Sequence, residues 1–142
     1  MSKVAPYLFF DGNCAEAMRF YERTLGGKLE SMFKAGEGPP GSAPPGTEDR
    51  IMHAHLTLAD SHLMASDWMS PQPYERMQGF YVSLHCTSVE EGRRSFEALA
   101  EGGKVHMPFE KTFWAERFGM CTDRFGTPWM INAGMPVEAS TS

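Results

Sequence analysis

The chain has 142 residues, 42% of them hydrophobic, with a formal net charge of -5 and three cysteines. That length suits one domain, or two small modules sharing a core, able to fold without disulfides or a structural metal. The acidic balance argues against a nucleic-acid partner, and the wide spacing of Cys14, Cys86 and Cys121 argues against a disulfide framework or cysteine zinc site. No apolar run approaches a membrane span and the start holds no signal-peptide core, so the expected setting is the cytoplasm, with reduced thiols.

Residues 4–10 read as a strand, apolar and aromatic, ended by Asp11-Gly12. A helix follows, with Asn13 as its N-cap and Glu16 completing a capping box. Ala17, Phe20, Tyr21 and Leu25 share one helix face, and Gly26-Gly27 ends it. Residues 28–33 predict a strand with Leu29, Ser31 and Phe33 on one side and Met32 on the other. Residues 34–50 hold four prolines and four glycines. They form a long exposed loop, either a flap over a site or a disordered segment. Residues 51–58 alternate: Met52, Ala54, Leu56 and Leu58 on one face, Ile51, His53, His55 and Thr57 on the other. Asp60-Ser61 turns the chain, and residues 62–66 return as the hairpin partner.

The second half repeats this plan. Residues 79–86 are a strand, Ser88 and Glu91 cap a helix reaching about Ala100, and Gly102-Gly103 ends it. A last hairpin pairs residues 117–122 with 128–132 around the turn Asp123-Arg124-Phe125-Gly126. Both halves run strand, capped helix, Gly-Gly-Lys, strand, hairpin. A repeat of about 75 residues suggests two copies of one βαβββ unit rather than a solenoid. The modules span about residues 3–67 and 79–135 of a single domain, 1–142, joined by a linker at 68–78.

An ordered set of segments now carries a resemblance. It comprises Tyr7-Leu-Phe-Phe-Asp-Gly-Asn-Cys-Ala-Glu-Ala, Phe20-Tyr21, Gly26-Gly27, Ile51-Met-His-Ala-His, Leu63-Met-Ala-Ser-Asp67, Phe113-Trp114, Arg117-Phe-Gly119, Thr122-Asp-Arg-Phe-Gly126 and Trp129. Together they resemble a PhnB-like protein of the vicinal oxygen chelate superfamily, which includes glyoxalase I, bleomycin-resistance proteins and extradiol dioxygenases. The resemblance implies an α+β fold of two βαβββ modules forming a curved mixed sheet around a cavity, as a homodimer. Some relatives carry a label as demethylubiquinone methyltransferases. Here there is no glycine-rich strand-to-helix turn of the dinucleotide type to support it.

Enzymes of this superfamily hold a divalent metal with His, Gln or Glu, one from the first and one from the last strand of each module. Aligned on the helices and the last turn, those positions fall near Pro6, Met64, Tyr81 and Met130. None suits a hard or borderline ion, so no metal and no other cofactor is expected.

His53 and His55 share a strand face at a spacing that can chelate; His62 joins them if Met64 faces the cavity, and His85 if Tyr81 does. The first expectation is histidines satisfied by hydrogen bonds on a sheet face. Polar groups of a pocket come next, and an alternative metal site last. Trp114 and Glu116 precede the last hairpin and are offered as ligand platform and base. The plainer reading has Trp114 packing between modules and Glu116 pairing with Arg117 or a dimer mate. His106 receives no role, and Ser83 lacks evident support for a nucleophile triad. Cys14 stands at a helix N-terminus, where thiol pKa values tend to fall.

The candidate ligand-binding residues are thus His53, His55, His62, Met64, Tyr81, His85, Trp114, Glu116 and Met130. Three functions stay open: a protein binding a small molecule without the usual metal centre, a lyase, isomerase or dioxygenase with relocated ligands, or a drug-sequestering protein. Whether the chain is an enzyme is undecided.

Overall fold

The structure is a computed structural model that describes residues 2–134. The chain forms two compact units, dividing between Arg76 and Met77. The first unit contains β1 (Tyr7–Phe10), α1 (Cys14–Leu25), β2 (Lys28–Lys34), β3 (Ile51–Leu58) and β4 (Ser61–Asp67). The second contains β5 (Val82–Cys86), α2 (Val89–Ala100), β6 (Lys104–Glu110), β7 (Arg117–Thr122) and β8 (Pro128–Ala133). Each is one βαβββ unit, as the repeat implied. The sheets are open and four-stranded, ordered β1-β4-β3-β2 and β5-β8-β7-β6. In each, the first strand runs parallel to the last, and the other pairs are antiparallel.

One helix covers one face of each sheet. Cys14, Ala17, Met18 and Tyr21 fall at i, i+3, i+4 and i+7 and are fully buried, against β3 and its neighbours. Gly92, Ser95, Phe96 and Leu99 do the same in α2, facing β8 and β7. Beneath them lie Leu8, Phe10, Ala54, Leu56 and Ala65 in the first unit and Trp129, Ile131 and Cys121 in the second. Each fully buried large side chain contributes about 1.5–3 kcal/mol.

The Gly-Gly-Lys repeat has a shared cause. Gly26 and Gly102 adopt φ of 79° and 77°, in the left-handed region that favours glycine. Gly27 and Gly103 then enter the next strand where a Cβ would collide with a carbonyl, that of Thr57 or of Thr122.

Several expectations change. Asn13 makes no side-chain cap, so the proposed box with Glu16 is absent. The Asp67 carboxylate, from the end of β4, instead accepts the N–H groups of Gly12 and Cys14 at 2.9 and 3.0 Å. Ser88 does cap α2, accepting from Glu91 N at 3.1 Å. In β2 a bulge at Glu30 breaks the alternation: Leu29 pairs with Leu56 and Ser31 with His55. Leu29 therefore joins Met32 on the helix side, while Ser31 and Phe33 keep the other face.

The loop at 34–50 folds back on itself. Ala35 N–H donates to Arg50 O at 2.8 Å and Gly36 N–H to Glu48 O at 2.9 Å. Arg50 then donates to Asp11 Oδ1 and to Trp68 O, each at 3.1 Å, fastening the loop to the ends of β1 and β4. The former linker is held too, for the Tyr74 hydroxyl donates to Phe9 O at 2.7 Å. Among the described residues no helix is long and apolar enough to cross a membrane.

Candidate functional site

With α1 covering one face of the first sheet, the period of two sends a different set of side chains to the helix-free face. Tyr7 lies beside Met64, Met64 opposite His55, and His55 opposite Ser31, one row across all four strands. His53 stands opposite Phe33 in the next row. His62, two residues before Met64, shares the face. The structure thus brings together four of the candidates, His53, His55, His62 and Met64.

Their rings form a continuous ribbon. Centroid separations are 5.7 Å from Trp68 to Phe9, 5.3 Å from Phe9 to Tyr7, 5.8 Å from Tyr7 to His53, 6.5 Å from His53 to His55 and 5.1 Å from His55 to His62. Tyr7, Phe9 and Phe33 are 40–42% exposed, high for large rings on a folded sheet. Two hydrogen bonds order the ribbon: Tyr7 Oη to His53 Nδ1 at 3.0 Å, and His55 Nε2 to His62 Nδ1 at 2.9 Å. Burial, with a smaller contribution from Cys14, pushes the Tyr7 phenol above its ordinary 10.0. Tyr7 is therefore a neutral hydroxyl at physiological pH and not a phenolate base. When it donates to Nδ1, His53 carries its proton on Nε2.

The second sheet has its own helix-free face. Ser83 and His85 lie on β5 beside Met130 and Asn132 of β8, and Ser83 Oγ is 3.2 Å from His85 Nε2. No carboxylate among the described residues continues that pair into a triad. Tyr81 meets His106 edge-on at 6.3 Å, and His106 Nε2 is 2.7 Å from Thr122 Oγ1. His106 shares this face with Lys104, two residues before it, and a register shift between Val105 and Met107 brings Met107, opposite Met120, to the same face.

Trp114 and Glu116 have their contacts within the second unit. Trp114 packs against Phe113 and Phe118 at 4.8 and 5.2 Å, within its own unit. Arg117 donates to the Glu116 backbone carbonyl at 2.7 Å, not to its carboxylate. The Glu116 side chain lies instead along Gly134, where a Cβ would stand 2.7 Å from it.

In the sheets Met64 pairs with Tyr7 and Met130 with Ser83. These neighbours offer a phenol, an alcohol and two thioethers, a poor fit for a divalent ion that favours imidazole and carboxylate. No three His, Cys, Asp or Glu side chains among the described residues converge to cage an ion. Cys14 is no reactive thiol either. Its N–H is spent on Asp67, and burial, with the Asp67 charge, pushes it up to about 12.

A cleft of about 280 Å³ opens where the loop meets the strand ends, lined by Asp11, Thr47, Arg50, Trp68 and Tyr74 among others. Arg50 already serves Asp11 and the Trp68 carbonyl there.

Two open βαβββ sheets, each with one helix-free face, define a glyoxalase-type fold. The pattern of the Glyoxalase/Bleomycin resistance protein/Dioxygenase superfamily matches residues 3–131, and the chain belongs to that family. It is 42% identical to Protein YjdN of Escherichia coli over 138 residues, covering 91% of this chain and 93% of that one. The crystal structure of protein PA1353 from Pseudomonas aeruginosa is 48% identical, with a TM-score of 0.88 over 94% of this chain and 98% of that one. A protein from Bacillus cereus named PhnB, a putative 3-demethylubiquinone-9 3-methyltransferase, is 25% identical with a TM-score of 0.78, over 94% and 100% of the chains. These relatives agree with the PhnB-like resemblance.

Proposed function

We propose that the protein binds a small, flat organic molecule on the helix-free face of its first sheet, without the four-ligand metal centre of its superfamily. The observation that carries this is the Tyr7–His53 hydrogen bond inside a ribbon of part-exposed rings. Tyr7, Phe9, Phe33 and His53 offer π-faces for stacking, and the His53 Nε2–H and His55 offer the few polar contacts that fix a ligand's orientation. Tyr7 acts by holding the His53 ring and its tautomer.

A thermal-shift screen of aromatic acids and phenols, followed by mass spectrometry of the recovered compound, tests this. Compounds that stabilise the protein and return unchanged support binding without turnover. Their affinity should weaken about tenfold in His53→Ala and less in Tyr7→Phe. Stabilising compounds indifferent to both substitutions would move the site elsewhere. Chemical conversion of a hit would replace binding by catalysis.

A further inference from the structure

His55 and His62 lie on the antiparallel strands β3 and β4, one step off direct opposition, since His55 faces Met64 and Thr57 faces His62. Their rings are nearly parallel, at 27° and 5.1 Å between centroids, with His55 Nε2 and His62 Nδ1 2.9 Å apart. We infer that this imidazole pair is a two-nitrogen site for a borderline divalent cation of the Cu(II), Ni(II) or Zn(II) class.

The separation is the first reason. Nitrogens about 2.0–2.1 Å from one ion stand about 2.9 Å apart at a right angle and about 3.3 Å apart in a tetrahedron. The second reason is adjustability. The histidine χ2 torsion is broad and His62 is exposed, so a modest ring rotation, with the proton of the His55–His62 hydrogen bond moved to the donor ring's other nitrogen, aims two lone pairs at a shared point. The strands hold the two Cα atoms at fixed register while this happens, which keeps the ordering cost low. Thr57, the residue opposite His62, donates its hydroxyl to the Glu30 carboxylate at 2.8 Å, and Glu30 also faces Lys28 Nζ at 3.9 Å, so the fixed charges at this end of the face balance and Glu30 is not a ligand.

Two imidazoles leave the other coordination positions to water or to oxygen donors of a bound molecule. Nitrogen donors prefer late first-row ions, Cu(II) above Ni(II) and Zn(II), and disfavour Mg(II) and Ca(II). The site uses neither Met64 nor Met130 and does not depend on the proposed organic ligand, because the ion alone is the probe.

The experiment titrates the full chain with Zn(II) by calorimetry and with Cu(II) by electron paramagnetic resonance. One ion per chain is expected, with nitrogen superhyperfine splitting from two imidazoles. His62→Gln and His55→Gln should each weaken binding by about tenfold or more, and His85→Gln on the other sheet should not. The Cu(II) spectrum of either variant should show one imidazole fewer. Binding that survives His62→Gln, a spectrum with one imidazole in the unsubstituted chain, or equal loss in His85→Gln would overturn the site. His62 is exposed, so its variant keeps the fold, and an unchanged melting temperature confirms that.

Discussion

Asp67, the last residue of β4, accepts the backbone N–H of Cys14, the first residue of α1, at 3.0 Å. The same buried carboxylate takes Gly12 N–H at 2.9 Å and, on its other oxygen, Ile51 N–H at 2.8 Å. One side chain, 1% exposed, thus joins the start of α1, the start of β3 and the end of β4. Asp67→Asn keeps the shape but turns an amide donor toward the Ile51 N–H. It should lower stability by about 2 kcal/mol, and Asp67→Ala, leaving the buried Cys14 and Ile51 donors and the part-buried Gly12 donor without it, by about 4 kcal/mol. Urea unfolding measures both. Losses below about 0.5 kcal/mol would mean that Asp67 is not the junction of this unit.

That junction also marks where the sequence stopped being legible. Local chemistry was readable: the Asp123 turn closes with Gly126 N–H on Asp123 O at 3.0 Å, and β3 spans the predicted residues, Ile51–Leu58. The α1 cap was not, because its acceptor lies 53 residues from Cys14 along the chain. Asn13 is a good local choice that a buried carboxylate displaced. A bulge at Glu30 defeated the period-two rule in β2. His53 and His55 were placed together correctly because alternation is local. Tyr7, which holds His53 from 46 residues away, was missed, since nothing in its own stretch signals that contact.

The buried thiols set an alkaline limit. Burial, with Asp67 for one and Asp123 for the other, pushes Cys14 and Cys121 from 9.0 up to about 12. Between those values the unfolded chain releases protons that the folded chain retains. Stability is therefore fully present below 9.0 and falls as pH rises toward about 12. The Cys14→Ala, Cys121→Ala double variant should flatten that fall in denaturant titrations at successive pH values. All three cysteines are buried, so a thiol reagent at neutral pH should label the native protein slowly and the denatured one completely. Rapid native labelling of Cys14 would contradict its enclosure.

Gly92 lies inside α2, where replacing glycine by alanine ordinarily gains about 1 kcal/mol. Here a Cβ would collide with the Ala133 methyl and stand 3.0 Å from the Phe109 ring. Ala133 has no side-chain freedom with which to yield. Overpacking of about 1–3 kcal/mol exceeds the helix gain, so Gly92→Ala should destabilise the protein. The substitution sets helix propensity against this one contact, and the melting temperature reads which of the two prevails. A rise on Gly92→Ala would show that α2 can lift from β8.

Asp123 does for the last hairpin what Asp67 does for α1. It is 3% exposed and accepts Phe125 N–H at 2.9 Å, Thr127 N–H at 3.0 Å and the Trp129 indole N–H at 2.9 Å. The first two bonds use one oxygen and the indole the other. Asp123→Asn can keep Oδ1 for the turn while its amide meets the indole N–H, donor to donor. That should cost about 1–3 kcal/mol, and Trp129→Phe in the same background should add less than it does alone, because the opposed indole donor is gone. A double-mutant cycle by urea unfolding reads the coupling. Additive effects would separate the Trp129 indole from the turn.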